Sequence, residues 1–201
     1  CKQFHKPLDN WKIYAIIMTQ QNDWRKQMKK YKYGLYIGRF QPLHVGHTSI
    51  ISKMLDECEQ VIVAVGSAQE SGTERNPFSY DFRKEMIEQI YLDHVIVVPI
   101  QDRKNPRNDS SWGDYLFENV YDECGLIPDV IYEGKEEERA DWYNNLDVSI
   151  VKVPRTILPI SGTMLRNAIA WNDKDVVLPW IPYAIREYYD EMRKEILKCC
   201  D

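Results

Sequence analysis

Short runs of β-branched and aliphatic residues recur along this 201-residue chain, and segments with helical periodicity separate them. Val61–Val65 and Val95–Ile100 are hydrophobic almost without interruption, as strands are when both faces of their sheet are covered. Between them, Phe82, Met86 and Ile90 repeat every four residues, which is the spacing of one helix face. Strands that alternate with helices predict an α/β fold, a single doubly wound Rossmann-like domain whose parallel sheet has about five strands with helices on both faces.

The same reasoning places elements along the rest of the chain. The predicted strands are Tyr33–Ile37, Val61–Val65, Val95–Ile100, Asp129–Tyr132 and Val148–Val153. The predicted helices are Val45–Glu57, Phe78–Leu92, Trp112–Cys124, Glu136–Asn144, Gly162–Trp171 and Trp180–Lys198. We expect the domain to span residues 28–201, because residues 1–27 show no clear period and form an N-terminal extension. Whether that extension is dispensable or anchored by its apolar residues stays open.

Charge and cysteine usage narrow the class of protein. The chain has 26 Lys and Arg residues against 31 Asp and Glu residues, a net charge of −5 at pH 7. This argues against a nucleic-acid partner, although a local basic pocket is compatible with it. No apolar run approaches the ~20 residues of a membrane span, so we expect no membrane partner. Five cysteines without a C-x-x-C pair resemble neither a disulfide framework nor a zinc site, so we expect reduced thiols in the cytoplasm.

Two of the four histidines, His44 and His47, lie between the first predicted strand and the first predicted helix. In a doubly wound sheet this is the edge where ligands bind, and a helix N-terminus there favours anions. Arg39 adds a cation suited to phosphate, Gly38 permits a tight turn, and Gly46 would let a flat or charged group approach the backbone. These residues predict a phosphate-binding site. Structural histidines are one alternative, and a zinc pair is another that would need further ligands.

A second polar segment, Ser161–Arg166, follows the fifth predicted strand and so reaches the same edge of the sheet. Ser161 suits a helix N-cap, Gly162 and Thr163 open the helix, and Arg166 follows one turn later. Hydroxyl groups, backbone N–H groups and a guanidinium would then converge on one spot. Such a helix start is common, and it gains meaning from its position beside the histidine pair.

Together these two segments resemble the signature motifs of the H-x-G-H nucleotidyltransferases. Further stretches are similar to the archaeal-type nicotinamide-nucleotide adenylyltransferases, and the similarity runs from about Tyr33 to Met192. These stretches are Gly66-Ser67-Ala68-Gln69, Asn76-Pro77-Phe78-Ser79 with Arg83, and Pro99-Ile100-Gln101-Asp102 with Trp112.

This resemblance implies adenylyl transfer from ATP to nicotinamide mononucleotide, forming NAD and pyrophosphate, with nicotinic acid mononucleotide left open as a second acceptor. It implies Mg²⁺ held mainly through ATP phosphates, no metal ligands from the chain itself, and a homo-oligomer. Catalytic roles are implied for His44, His47, Arg166 and Arg39. ATP-binding roles are implied for Gly38, Phe40, Gly46, Ser161, Gly162 and Thr163. Roles in binding the acceptor substrate are implied for Ser67, Gln69, Asn76, Arg83, Asp102 and Trp112.

Other functions remain open at this point. A related adenylyl- or cytidylyltransferase would act on another phosphate acceptor, such as phosphopantetheine or flavin mononucleotide. A non-catalytic nucleotide-sensing module would use the same fold without turnover. The intact histidines and arginines favour an enzyme, because a sensor could lose them freely. Trp112 also has two interpretations, stacking on the ring of the acceptor or packing in the core.

Overall fold

The computed structural model describes residues 29–103, 111–134, 141–153 and 160–199. It contains one parallel sheet with the strand order β3-β2-β1-β4-β5. The strands are β1 Tyr31–Gly38, β2 Cys58–Val65, β3 Val95–Pro99, β4 Val130–Gly134 and β5 Ser149–Val153. Because β4 returns to the free side of β1, the strand order reverses between these two strands, and a crevice is expected at their carboxyl ends. The predicted doubly wound α/β fold is confirmed.

Helices cover both faces of this sheet. The α-helices are α1 Val45–Glu57, α2 Tyr80–Tyr91, α3 Ser111–Cys124, α4 Gly162–Ala170, α5 Lys174–Val177 and α6 Tyr189–Leu197, and 3₁₀ turns span Leu92–His94 and Tyr183–Tyr188. Side chains of α1, α2, α4 and α6 form one hydrophobic layer with alternate strand residues such as Tyr36. Those of α3 form the other layer with Leu35 and Ile37. The alternation along β1 is what a strand covered on both faces requires.

Capping side chains mark the starts of α1, α2, α4 and α5. Helix α1 begins and ends where the periodicity predicts it. Helix α2 begins at Tyr80 rather than Phe78, because the Ser79 hydroxyl oxygen accepts the backbone N–H of Phe82 at 3.2 Å and so caps the helix.

Two predicted helices are wrong in part. Residues 136–140 of the predicted helix Glu136–Asn144 lie outside the described residues, and residues 141–144 form turns. The predicted helix Trp180–Lys198 begins later, as a 3₁₀ turn that continues into α6. Pro182 explains the later start, because proline disfavours helical geometry at the residue before it.

Residues 1–27 lie outside the described residues, and the predicted domain boundary at Met28 falls beside the first described residue, Lys29. Lys30 already belongs to the fold, since its backbone N–H donates to the carbonyl oxygen of Glu57 at 2.9 Å. In the described part of the chain, no helix combines the length and the apolar character needed to cross a membrane.

Candidate active site

A cavity of about 380 Å³ opens at the carboxyl edge of the sheet, walled by segments that follow all five strands. Most of the predicted site residues line it, as the order of the strands requires. The predicted residues in its wall are Gly38, Arg39, Phe40, His44, His47, Ser67, Asp102, Trp112, Ser161, Gly162, Thr163 and Arg166. The predicted residues outside its wall are Gly46, Gln69, Asn76 and Arg83.

The loop after β1 is anchored from inside by Gln41, whose side chain is almost fully buried. Its Nε2 donates to the carbonyl oxygen of Phe78 at 2.9 Å, and its Oε1 accepts the N–H of the same residue at 3.0 Å. The preceding residue, Phe40, is also buried and has a φ of +52°, a left-handed conformation that persists only where the surroundings enforce it. The loop therefore brings Arg39 and His44 to the cavity along a fixed path.

The two histidines form a reciprocal cap at the start of α1. Nδ1 of His44 accepts the N–H of Gly46 at 3.1 Å, and Nδ1 of His47 accepts the N–H of His44 at 3.3 Å. Because both Nδ1 atoms accept, the hydrogen-bond network assigns the ring proton of each neutral imidazole to Nε2. The rings stack with their centroids 3.8 Å apart, so the cavity wall holds two N–H donors in a fixed tautomer.

The absence of a side chain at Gly46 makes room for a neighbouring histidine ring. A Cβ atom at this position would lie 3.0 Å from the ring of His44, tighter than almost all such contacts. The glycine therefore makes room for the histidine cap, whereas the sequence suggested room for a ligand.

Arg166 links the second motif to the first. Its Nη1 donates to the carbonyl oxygen of Gln41 at 2.8 Å, and its Nη2 donates to the hydroxyl of Thr163 at 3.1 Å. Gly162 allows this approach, because a Cβ there would lie 2.8 Å from the same carbonyl oxygen. Ser161 caps the helix by accepting the N–H of Met164 at 3.2 Å. Burial, and then the charge of Arg39, lower the pKa of Arg166 from its usual value.

Arg75 adds a third guanidinium to Arg39 and Arg166 in the cavity wall, and sequence reasoning missed it. It lies on an exposed turn that Asn76 fixes from below. The Asn76 backbone N–H donates to the Thr73 hydroxyl at 3.0 Å, and its Nδ2 donates to Glu70 at 2.6 Å. Asn76 was predicted to bind substrate, and the structure places it beneath the turn that carries Arg75.

Arg83, predicted to bind the acceptor, is fully buried beneath the cavity. Its guanidinium donates to the carbonyl oxygens of Arg39 (3.0 Å), Gly66 (2.7 Å), Ser67 (3.0 Å) and Ser79 (3.1 Å). Burial, and then repulsion from Arg39, lower its pKa to about 10, so the side chain remains charged at neutral pH. These contacts tie the ends of β1 and β2 to the start of α2.

The far end of the cavity is aromatic and belongs to the other layer of the fold. The indole rings of Trp112 and Trp142 stack with their centroids 4.2 Å apart at an angle of 29°, and both line the cavity. They also pack against the hydrophobic layer of α3, so the two interpretations of Trp112 from sequence, ligand contact and packing, are compatible. A Cβ atom on Gly113 would lie 2.0 Å from the carbonyl oxygen of Trp142, which shows how closely the two segments meet.

The chain is similar to known proteins over most of its length. The model of the cytidylyltransferase-like family matches residues 35–195. A nicotinamide-nucleotide adenylyltransferase of Picrophilus torridus is 32% identical over 171 residues, which cover 78% of this chain and 89% of that protein. The chain belongs to the nicotinamide-nucleotide adenylyltransferase family.

Three further comparisons define how much of the chain matches. The adenylyltransferase of Saccharolobus solfataricus is 41% identical over 75 residues, which span 34% of this chain and 44% of that protein. A bifunctional NMN adenylyltransferase/ADP ribose pyrophosphatase from Francisella tularensis superposes with a TM-score of 0.66 and is 25% identical, covering 82% of this chain and 49% of that chain. A structure of the Francisella protein complexed with AMP and a manganese ion superposes with a TM-score of 0.62 at 23% identity, covering 83% of this chain and 52% of that one.

The cavity residues missed by sequence reasoning are Gln41, Arg75 and Trp142. A buried glutamine in a loop has no distinctive sequence signal. Arg75 lies in a polar stretch that resembles any solvated turn. Trp142 falls in the segment predicted to be a polar helix, so its position at the cavity could not be inferred.

The described residues contain no group of three His, Cys, Asp or Glu side chains that could form a metal site. Asp102 is the only carboxylate among the described residues that line the cavity. Magnesium keeps several water ligands and is commonly bound through one or two carboxylates together with substrate phosphates. The cavity therefore fits a divalent ion carried largely by nucleotide oxygens.

Proposed function

We propose that this cavity transfers an adenylyl group from ATP to nicotinamide mononucleotide, forming NAD and pyrophosphate. The observation that carries the proposal is the division of one cavity into two chemically different ends. One end holds the two imidazole donors, three guanidiniums and the N-terminus of α4. The other end holds two indole rings, and a single carboxylate lies in the same wall. A triphosphate suits the first end, and a cationic pyridinium ring suits the second.

At the phosphate end, each group has a role set by its geometry. His44 and His47 donate from Nε2 to phosphoryl oxygens, and stabilise the charge that develops in the transition state. Arg166, with Ser161 and Thr163 at the start of α4, binds the β- and γ-phosphates and so helps pyrophosphate leave. Gly38, Phe40 and Gly162 shape the backbone around these groups.

Arg39 and Arg75 balance charge between the two substrates. The α-phosphate of ATP and the phosphate of the acceptor are both anionic, so they repel each other as they approach. We assign Arg39, in the loop that follows β1, to both the α-phosphate of ATP and the phosphate of the acceptor. Arg75 adds a cation from the exposed turn. Ser67, at the end of β2, lies in the same wall and borders the acceptor.

The chemical step is an in-line substitution at the α-phosphorus of ATP. An oxygen of the acceptor's phosphate forms a bond to this phosphorus, while the bond to the bridging oxygen of pyrophosphate breaks and its electron pair leaves with pyrophosphate. The acceptor phosphate is already ionised at pH 7, so no general base is required. Positioning and charge stabilisation therefore carry the catalysis. Bound Mg²⁺, held mainly by ATP phosphates, would neutralise part of their charge.

We place this activity in residues 28–201 of a cytoplasmic homo-oligomer that binds neither nucleic acid nor membranes. Exposed aromatic surface supports association between copies of the chain, since Trp171 and Tyr183 are 86% and 85% exposed. The net charge of −5 supports the exclusion of nucleic acid.

The test is an assay of the purified chain with ATP, Mg²⁺ and one acceptor at a time. The acceptors are nicotinamide mononucleotide, nicotinic acid mononucleotide, phosphopantetheine and flavin mononucleotide. We expect dinucleotide and pyrophosphate in equal amounts with a pyridine mononucleotide. Turnover restricted to phosphopantetheine or flavin mononucleotide would contradict the acceptor, and ATP binding without any turnover would indicate a nucleotide sensor.

A further inference from the structure

The charges around the cavity are unevenly distributed. The described cations in its wall are Arg39, Arg75 and Arg166, and the single described carboxylate there is Asp102. Asp102 follows β3, and Trp112 lies at the start of the helix that comes next along the chain. The carboxylate therefore lies in the wall of the same cavity as the indole rings.

Asp102 is held in place by Gln69 through two reciprocal hydrogen bonds. Nε2 of Gln69 donates to Oδ2 of Asp102 at 3.1 Å, and Oε1 of Gln69 accepts the backbone N–H of Asp102 at 3.0 Å. Both polar atoms of the Gln69 side chain are thus used on one residue, and Gln69 itself does not line the cavity. Within the described residues, Oδ2 is the only Asp102 carboxylate oxygen that accepts a side-chain hydrogen bond.

Two cations near Asp102 make their hydrogen bonds to other groups, although the charge of Asp102 also attracts that of Arg83. Arg103, the next residue, donates from Nη1 to the Ser111 hydroxyl at 2.7 Å and lies over the ring of Tyr115. Arg83 uses its guanidinium on backbone carbonyls, as described above. The acceptor's ring substituent would therefore meet a carboxylate held at a fixed position.

We propose that Asp102 determines acceptor specificity, by accepting a hydrogen bond from the carboxamide of a nicotinamide ring and repelling the carboxylate of a nicotinic acid ring. Gln69 is the positioning residue that orients Asp102 for this role. The inference rests on the proposed adenylyl transfer to a pyridine mononucleotide. Its physical basis is that a carboxamide offers N–H donors to Oδ1, whereas a carboxylate offers only acceptors and a like charge.

The experiment compares kcat/KM for nicotinamide mononucleotide and nicotinic acid mononucleotide in the full chain. Asp102→Asn retains the shape of the side chain, removes the charge and supplies an amide donor. We expect it to lower the ratio of kcat/KM for nicotinamide mononucleotide to kcat/KM for nicotinic acid mononucleotide at least tenfold, which corresponds to about 1.4 kcal/mol. Gln69→Met retains bulk without hydrogen bonds, and we expect a three- to tenfold decrease in the same ratio with the KM for ATP unchanged. Asp122→Asn, on the exposed side of α3, is the charge-matched control and should leave the ratio unchanged.

The outcomes separate this inference from the function on which it rests. If the unaltered chain makes dinucleotide from neither acceptor, the adenylyl-transfer proposal is wrong. If it makes dinucleotide and Asp102→Asn lowers both kcat/KM values equally, Asp102 only shapes the loop and the specificity role is wrong. If Asp102→Asn changes the ratio and Gln69→Met does not, the positioning role of Gln69 is wrong.

Discussion

Replacing Arg166 with lysine tests the geometry of the phosphate end most directly. The guanidinium reaches two partners at once, the Gln41 carbonyl and the Thr163 hydroxyl. A lysine ammonium is a single point donor on a flexible stem, so it cannot reproduce this planar fork. We expect the variant to keep the charge and lose the orientation in which it meets phosphate.

The expected loss of activity follows from the number of hydrogen bonds that the substitution removes. A hydrogen bond from a charged group contributes about 1.5–3 kcal/mol, and at least one of the two is lost. If that orientation is required in the transition state, kcat/KM for ATP should fall by roughly 10- to 150-fold. The Gln41 carbonyl also loses a partner, which costs about 1–3 kcal/mol of stability. For a chain of this length each kcal/mol lowers Tm by about 2–4 °C.

The assay measures kcat/KM for each substrate well below Tm, together with thermal melting. Arg186→Lys is a suitable control, because Arg186 also donates to a backbone carbonyl, that of Ile181 at 3.2 Å, and does not line the cavity. A decrease in kcat/KM for the acceptor alone would show that Arg166 acts on the acceptor and not on ATP. A lower Tm with an unchanged kcat/KM for ATP would show that Arg166 has only a structural role.

Three other changes probe the remaining parts of the site. His47→Ala removes one of the two fixed donors, and we expect kcat to fall about 100- to 1000-fold with an unchanged circular dichroism spectrum; retention of half the activity would refute the role. Trp112→Ala should raise the KM for nicotinamide mononucleotide about three- to thirtyfold and leave that for ATP little changed, whereas equal losses for both substrates with a lower Tm would assign the indole to packing with Trp142 alone. A chain that starts at Met28 should retain nearly full activity, because Lys30 and the described fold follow it; aggregation on gel filtration would show that residues 1–27 are needed.

The strands and the phosphate end were accessible from sequence because their signals are local. Uninterrupted aliphatic runs predicted Val61–Val65 inside β2, and the short spacing of His44 and His47 placed both at a helix start. Parallel strands bring their carboxyl ends to one edge, so distant motifs could be assigned to the same cavity.

Residues whose role depends on their partners could not be assigned in this way. Arg83 carries the same charge as Arg166, and only the fold shows that its guanidinium donates to buried carbonyl oxygens. Gln69 and Asp102 were both predicted to contact the acceptor, yet their mutual hydrogen bonds follow from the spacing of β2 and β3, which the sequence does not specify. Pro182 carried a usable signal, and the helix prediction that ran through it ignored a residue that resists helical geometry.

Arg83 also has a consequence for how substrate reaches the protein. Its hydrogen bonds go to carbonyl oxygens, and Asp102 in the cavity wall offsets only part of its charge, so its field extends toward the cavity above. The chain as a whole is acidic and repels anions, whereas this edge of the sheet combines the buried charge with those of Arg39, Arg75 and Arg166. A polyanion such as ATP is therefore attracted at one place on a surface that otherwise repels it, and salt, which screens such fields over about 10 Å at 0.1 M, slows its capture.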